Sequence, residues 1–528
     1  MSGETQPEPA SAVKQGDRRE LARGAGLAFL GRAGALIEAA SFPLYLWLYG
    51  SVMFGIYATL WAVIRIGTGF TQMGMDVALQ RFLPGFSSET DVHRSVGIAI
   101  VLSGVAGLAG AAGLVAAAPW LTVFTQGATS LDRATAIGVI RLYAWLLPLW
   151  TLLEILTACV RARRKFGPEI RIRSFYEQAI RITLALAFFA LGLKTYGLFA
   201  AHVASMGLSA ALAYRLLGRF FDRRRIFTAG FDIALFRRML HYALPMVPAT
   251  LIQRFFSELP VVLLNVLVPG AAGAASAGYY SIARKISSFL QVIHTSFDYV
   301  IAPLAAYRAG AAGVRAVADM YAYSTRLMVA IGLLAAAAVL AARGPLLEGL
   351  GAAAGEVATA LAILVLGRLF SFLFGQAPAI IRTIASTYWS LANGVAGLAV
   401  MVGLLLFLAG PYGTAGAATA AAAGMVTSAG LAFLEVALIA RIVPYTREML
   451  RPVGVAALLG GILLLVGGAV ASLPAAAQFA VLFVVFLLSL AAFVRYGPND
   501  EDAVAFGRPG HVLRRGRRRR KSRPETPR

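Results

Sequence analysis

The stretch LIQRFFSELPVVLLNVLVPG, Leu251–Gly270, sets Gln253, Arg254, Ser257 and Glu258 into an otherwise apolar run. With Thr250 they fall at offsets 0, 3, 4, 7 and 8, which is one face of an α-helix. Two further runs carry stripes of the same kind. Arg65, Thr68, Gln72 and Asp76 stand at offsets 0, 3, 7 and 11, and Arg284, Ser288, Gln291, Thr295 and Asp298 at 0, 4, 7, 11 and 14. Arg32 and Glu38 belong to the first apolar run, at a spacing that does not put them on a shared face. Arginine is the strongest cationic candidate for clasping a phosphate, because its planar fork holds two oxygens at once. A charge in lipid costs roughly 2.5–3.5 kcal/mol on insertion scales, so such stripes must line water or pair across helices. The plainer reading is internal neutralisation. Arg254 and Glu258 are four residues apart, Arg284 can snorkel to headgroups, and Asp76 can sit at an interface. Arg141, Glu154, Glu177, Arg181, Arg326, Arg368 and Glu435 form no comparable stripe and read as interhelical or interfacial.

The elements that must hold these residues are membrane helices. Of the 528 residues, 59% are hydrophobic and 14% charged, and the mean hydropathy is +0.73. A soluble domain is about 45–50% apolar and about 25% charged. Runs long enough to cross a bilayer, about 20 residues, fall near 24–48, 55–78, 96–118, 134–158, 174–193, 196–217, 242–268, 277–302, 320–342, 356–380, 386–409, 412–440, 453–472 and 474–494. They are too long and continuous for membrane strands. The expected fold is therefore an all-α integral membrane protein with about fourteen transmembrane helices.

Basic residues cluster in alternate loops, including RARRKFGPEIRIR (161–173), GRFFDRRRIFTAGFDIALFRRML (218–240) and the terminal HVLRRGRRRRKSRPETPR. The intervening loops are nearly bare of charge, which predicts both termini in the cytoplasm and an even number of spans. The expected organisation is a tail (1–23), a first six-helix lobe (24–217), a basic linker (218–241), a second lobe (242–440), two further helices (453–494) and a basic tail (495–528). FGIYATLWAVIRIGTGFTQMGMD and AGYYSIARKISSFLQVIHTSFD open matching spans with Gly-x-Tyr, a faint parallel repeat of the two lobes. The polar stripes lie on matching helices of each half, which predicts a central cavity that they wall.

The net charge of +23 would suggest nucleic acid in a soluble protein. Here it points to anionic membrane lipids and topology, and the basic tail has no interleaved aromatics. Cys159 is the single cysteine, so no internal disulfide exists, and the five histidines are scattered. There is no phosphate-binding GxxxxGK[ST] loop, no zinc spacing and no nucleophilic triad, so neither a metal nor a bound cofactor is expected.

FGIYATLWAVIRIGTGFTQMGMDVALQRFLP resembles the second-helix signature of the polysaccharide transport family, the Wzx-type flippases of the MOP (multidrug, oligosaccharidyl-lipid, polysaccharide) exporter superfamily. HYALPMVPATLIQRFFSELPVVLLNVLVPGAAGAASAGYYSIARKISSFL resembles its seventh and eighth helices. The resemblance implies two six-helix lobes with two C-terminal helices and no covalent chemistry. The implied activity is alternating-access flipping of an undecaprenyl-diphosphate-linked oligosaccharide across a bacterial inner membrane for lipopolysaccharide, capsule or exopolysaccharide, beside polysaccharide polymerase machinery. It assigns diphosphate or acidic-sugar contacts to Arg32, Arg65 and Arg254, with Arg284, Gln253 and Gln291 as further lining. Glu38, Glu258, Asp298 and Asp76 become the candidates for proton or Na+ coupling. The alternatives are a multidrug or metabolite exporter of the same superfamily, a membrane glycan polymerase or ligase, and a scaffold subunit. The short outer loops count against the polymerase.

Overall fold

A computed structural model describes residues 37–38, 40–127, 131–163, 166–312, 317–384 and 387–497. Regular structure among them is helical throughout. Ten of the described helices are long and apolar enough to cross a membrane. The expected spans 386–409 and 412–440 are two helices that meet at a kink at Gly413, whose φ is 49°. The expected spans 174–193 and 277–302 lie on helices outside those ten: the helix over the first, Glu177–Ala190, has only 14 residues, and the second carries Arg284, Lys285 and Asp298.

The chain divides into two compact units, up to Gly278 and from Tyr279 onward. The first unit contains α1 (40–49), α2 (Ser51–Thr71), α3 (Met75–Phe82), α4 (Glu89–Leu121), α5 (Arg133–Ala144), α6 (Leu146–Ala162) and α7 (Phe166–Ile170). A π-helical turn (Arg171–Tyr176) follows, then α8 (Glu177–Ala190), α9 (Gly197–Leu217), α10 (Arg223–Thr228), α11 (Ile233–Ala243), α12 (Val247–Leu267) and the start of α13 (Gly270–Ala312). Helix α6 packs on α4 and α9, α8 on α9, and α12 along α2. The expected second span, 55–78, is interrupted. Met73 and Gly74 both adopt left-handed backbone, with φ of 49° and 68°. A methyl group at Gly74 would stand 2.5 Å from the Ala243 carbonyl oxygen, so glycine meets both the φ and the close approach of α11.

The basic stretch 218–240 is folded. Asp222 and Asp232 cap α10 and α11, accepting from the backbone N–H groups of Arg224 and Ala234 at 2.9 and 2.8 Å. It is pinned to the start of α4. Arg94 Nε donates to the Ala229 carbonyl at 2.9 Å, and the Asp222 N–H donates to His93 Nε2 at 3.1 Å.

The second unit holds the rest of α13, α14 (Ala318–Ala341), α15 (Arg343–Leu347), α16 (Ala354–Leu373), α17 (Ala377–Ile384), α18 (Thr387–Glu435), α19 (Leu450–Ala469) and α20 (Ala475–Tyr496). Helix α14 packs on α16 and α19, and α18 on α16 and α17. Its core joins Val317, Tyr321, Ile380, Ile381 and Val436. Leu458, Leu465, Phe483 and Leu488 on α19 and α20 are exposed, a face that suits lipid and would be an aggregation surface in water.

Candidate anion-binding site

The stripes on α2 and α12 meet. Asn265 Nδ2 donates to Thr59 Oγ1 at 2.8 Å. Arg65 Nη1 lies 3.0 Å from Glu258 Oε1. A methyl group added at Gly69 would touch Arg254 Cγ at 3.5 Å. Residue numbers rise along α2 as they fall along α12, so the helices run antiparallel with 59 against 265, 65 against 258 and 69 against 254. The polar face of α12 is thereby turned onto α2. This answers how a stretch as charged as Leu251–Gly270 sits in an apolar element. Its carboxylate is 2% exposed and ion-paired across helices, while Arg65 is 27% exposed.

The internal pairing of Arg254 with Glu258, allowed by their spacing, is not what forms. Glu258 is taken by Arg65. Arg254 is half-buried and has no ion pair or hydrogen bond among the described residues, and it lies within electrostatic reach of Arg65, Glu154, Glu258 and Arg173. Gln253 beside it is exposed.

Sequence reasoning passed over the neutralised ring next to this cluster. Glu154 on α6 accepts from both terminal nitrogens of Arg173 at 2.5 and 2.9 Å and from Trp150 Nε1 at 3.1 Å. Arg161 donates to Glu169 at 2.5 Å. Asp76, half-buried in the first turn of α3, lies within the field of Glu154 and Arg161. Arg173 and Glu154 stand 19 residues apart in different elements, and a periodicity search along one helix does not find such a pair.

A second buried constellation lies in the same unit. Arg181 is fully buried, with its guanidinium 4.6 Å from the Trp61 ring and Nη1 3.0 Å from His202 Nε2. Glu177 is 3.4 Å from it, and Gln178 also accepts from it. The hydroxyls of Tyr57 and Tyr143 reach His202 Nδ1 at 3.0 and 2.8 Å. An arginine N–H on Nε2 leaves that nitrogen as acceptor, so the neutral imidazole carries its proton on Nδ1. Glu38 acts electrostatically on Arg181 and Tyr57 of this group. Arg32 lies outside the described residues.

The third stripe belongs to the second unit. Gln291 accepts a hydrogen bond from Arg368, an interhelical contact of the kind read for that residue from the sequence. Arg284 lies within the field of Arg368. Asp298 Oδ2 stands 3.3 Å from His294 Nδ1, one turn back on α13.

The family model described as "Polysaccharide biosynthesis protein" matches residues 22–306, more than half of the chain. The chain belongs to this polysaccharide biosynthesis family. Arg65, Arg254, Glu258 and Asp298 all lie inside the segment that defines it. Among solved structures, this family member is similar to the lipid II flippase MurJ in an inward closed conformation, with a TM-score of 0.65 and 12% identity over 89% of this chain and 98% of that one. It is similar to an inward-facing multidrug resistance MATE transporter of the MOP superfamily, with a TM-score of 0.61 and 16% identity over 78% and 94%. It is also similar to a MATE protein in complex with MaL6, with a TM-score of 0.52 and 16% identity over 80% and 95%. No curated protein matches it by sequence. These likenesses establish the MOP transporter fold for this chain.

Proposed function

We propose that this protein is a flippase that moves a lipid-linked oligosaccharide, carried on a polyprenyl diphosphate, from the cytoplasmic to the outer leaflet of a bacterial inner membrane by alternating access. It serves surface-polysaccharide assembly next to the polymerase machinery, and it makes or breaks no covalent bond. One observation carries the reading. Arg254 presents a guanidinium without a counter-ion among the described residues, on a helix apolar enough to span, beside a second guanidinium at Arg65. Such a group offsets part of the cost of bringing a phosphate into a low-dielectric setting. Membership of a polysaccharide biosynthesis family and the similarity to a lipid II flippase support a glycolipid cargo.

The test is a strain lacking the protein. Polyprenyl-linked sugars are expected to accumulate on the cytoplasmic leaflet while surface polysaccharide is lost. Wild type restores both, and Arg254→Ala at equal abundance restores less than about a tenth of the flux, the loss of one charge-assisted contact. Full restoration by that variant removes Arg254 from the site. Export of a cationic solute is the second reading, favoured by the carboxylates Glu154 and Glu258 in the same cluster and by the likeness to MATE transporters. It is preferred if deletion leaves surface glycan intact and sensitises cells to cationic drugs.

A further inference from the structure

We propose that Glu258 is an internal anion on Arg65, competing there with one phosphate of the diphosphate group whose other phosphate meets Arg254. This rests on the flippase reading above and specifies how its cargo is held.

The register of α2 and α12 makes the arrangement. Arg65 and Gly69 are one turn apart on α2, and they face Glu258 and Arg254, one turn apart on α12. The absence of a side chain at Gly69 lets the Arg254 stem lie against α2, where a methyl group would stand 2.9 Å from Leu251 Cδ2 and 3.5 Å from Arg254 Cγ. One turn is about 5.4 Å of rise, a spacing that two flexible arginine stems close onto the two phosphates of a diphosphate. Arg254 supplies one charge that stands outside any ion pair among the described residues. Arg65 does not, because Glu258 holds it at 3.0 Å. The other charges near Arg254 are largely spent. Glu154 is held by Arg173, and Arg161 by Glu169, with Asp76 near both pairs. A second positive charge for a doubly anionic cargo therefore comes from releasing Arg65.

The geometry of the pair favours exchange. The carboxylate is the inner partner and the guanidinium the outer one, at 2% and 27% exposure. Arg65 Nε is buried without a hydrogen-bond acceptor, so this guanidinium has donors to spare for a phosphate. Thr68 adds none, since its hydroxyl donates to the Arg65 carbonyl at 2.8 Å. A phosphate that reaches Arg65 replaces a carboxylate with an anion of greater charge, and the cost is the separation of Glu258 from its partner.

The experiment measures binding of farnesyl diphosphate and farnesyl monophosphate to the full chain in lipid nanodiscs. Glu258→Gln is expected to bind the diphosphate about tenfold tighter and the monophosphate only slightly tighter, since the monophosphate meets Arg254 and feels Glu258 through its field alone, whereas the diphosphate needs Arg65 released. Equal tightening of both ligands would reduce Glu258 to a general field effect and overturn the proposal, as would unchanged or weaker diphosphate binding by the folded variant. Glu258→Asp, which keeps the charge but is too short to hold Arg65 as closely, is the second arm and is expected to fall between wild type and Glu258→Gln. If neither variant folds, infrared difference spectra of the wild-type chain labelled with 13C-glutamate decide. A shifted carboxylate band on adding diphosphate supports exchange, and an unshifted band overturns it. The flippase reading fails separately, if deletion of the protein leaves both surface polysaccharide and the polyprenyl-linked sugars unchanged.

Discussion

Arg181 shows what a charge costs inside this fold. It is fully enclosed by Trp61, His202, Tyr57, Gln178 and Glu177. Arg181→Leu removes a buried guanidinium together with its ion pair to Glu177, and it is expected to destabilise the first unit by about 3–5 kcal/mol. Thermal unfolding in detergent reads this as a large fall in midpoint, and Glu177→Gln in the same background is expected to recover part of it. The contrast with Arg254 is instructive, because both are arginines on apolar helices. The stripe on 250–258 was legible from spacing alone, and it did mark a polar helix face. Its pairing was not legible, since nothing in i,i+4 spacing says that Arg65 outcompetes Arg254 for Glu258. The Arg181 group was illegible for a related reason. His202, Tyr57 and Tyr143 are drawn together from three helices, and each looks like an ordinary core residue in its own window.

At the scale of elements, close approach explains residues that a hydropathy profile treats as filler. Gly55 and Gly278 open the two halves of the faint repeat, and they meet where α2 crosses the start of α13. A methyl group at Gly55 would lie 1.6 Å from the Ala274 carbonyl oxygen. Gly55→Ala must therefore separate two backbones, and it is expected to cost about 1–3 kcal/mol or more, measured as lost thermal stability and reduced membrane abundance. The basic linker gives a pH prediction. The backbone N–H groups of Arg225 and Arg224 hold the Asp222 carboxyl below its usual range, and those of Leu235 and Ala234 do the same for Asp232. A carboxylate depressed in the folded state stabilises above its unfolded pKa and loses that contribution as pH falls. The first turns of α10 and α11 are thus expected to lose amide protection below about pH 4, the ordinary Asp range. Asp222→Asn and Asp232→Asn, which still cap but do not titrate, remove the pH dependence after correction for intrinsic exchange.

Across the whole molecule, composition made the membrane helices legible, and the positions of most spans follow from apolar length. What it did not reveal are the interruptions, at Met73–Gly74, at the π-turn 171–176 and at Gly413, because backbone breaks inside an apolar run leave hydropathy unchanged. The loop charges predict that reporter fusions at both ends are active on the cytoplasmic side, and an outward-facing reporter at either end would break the orientation drawn from them. The single cysteine has a practical consequence. Cys159 is wholly buried on α6, so a membrane-impermeant maleimide has no target in the natural sequence. A thiol placed at exposed Gln253, or at any other position, would report its own accessibility against a silent background. Which side of the membrane each stripe meets, and when in the transport cycle, is readable in this chain without first removing anything from it.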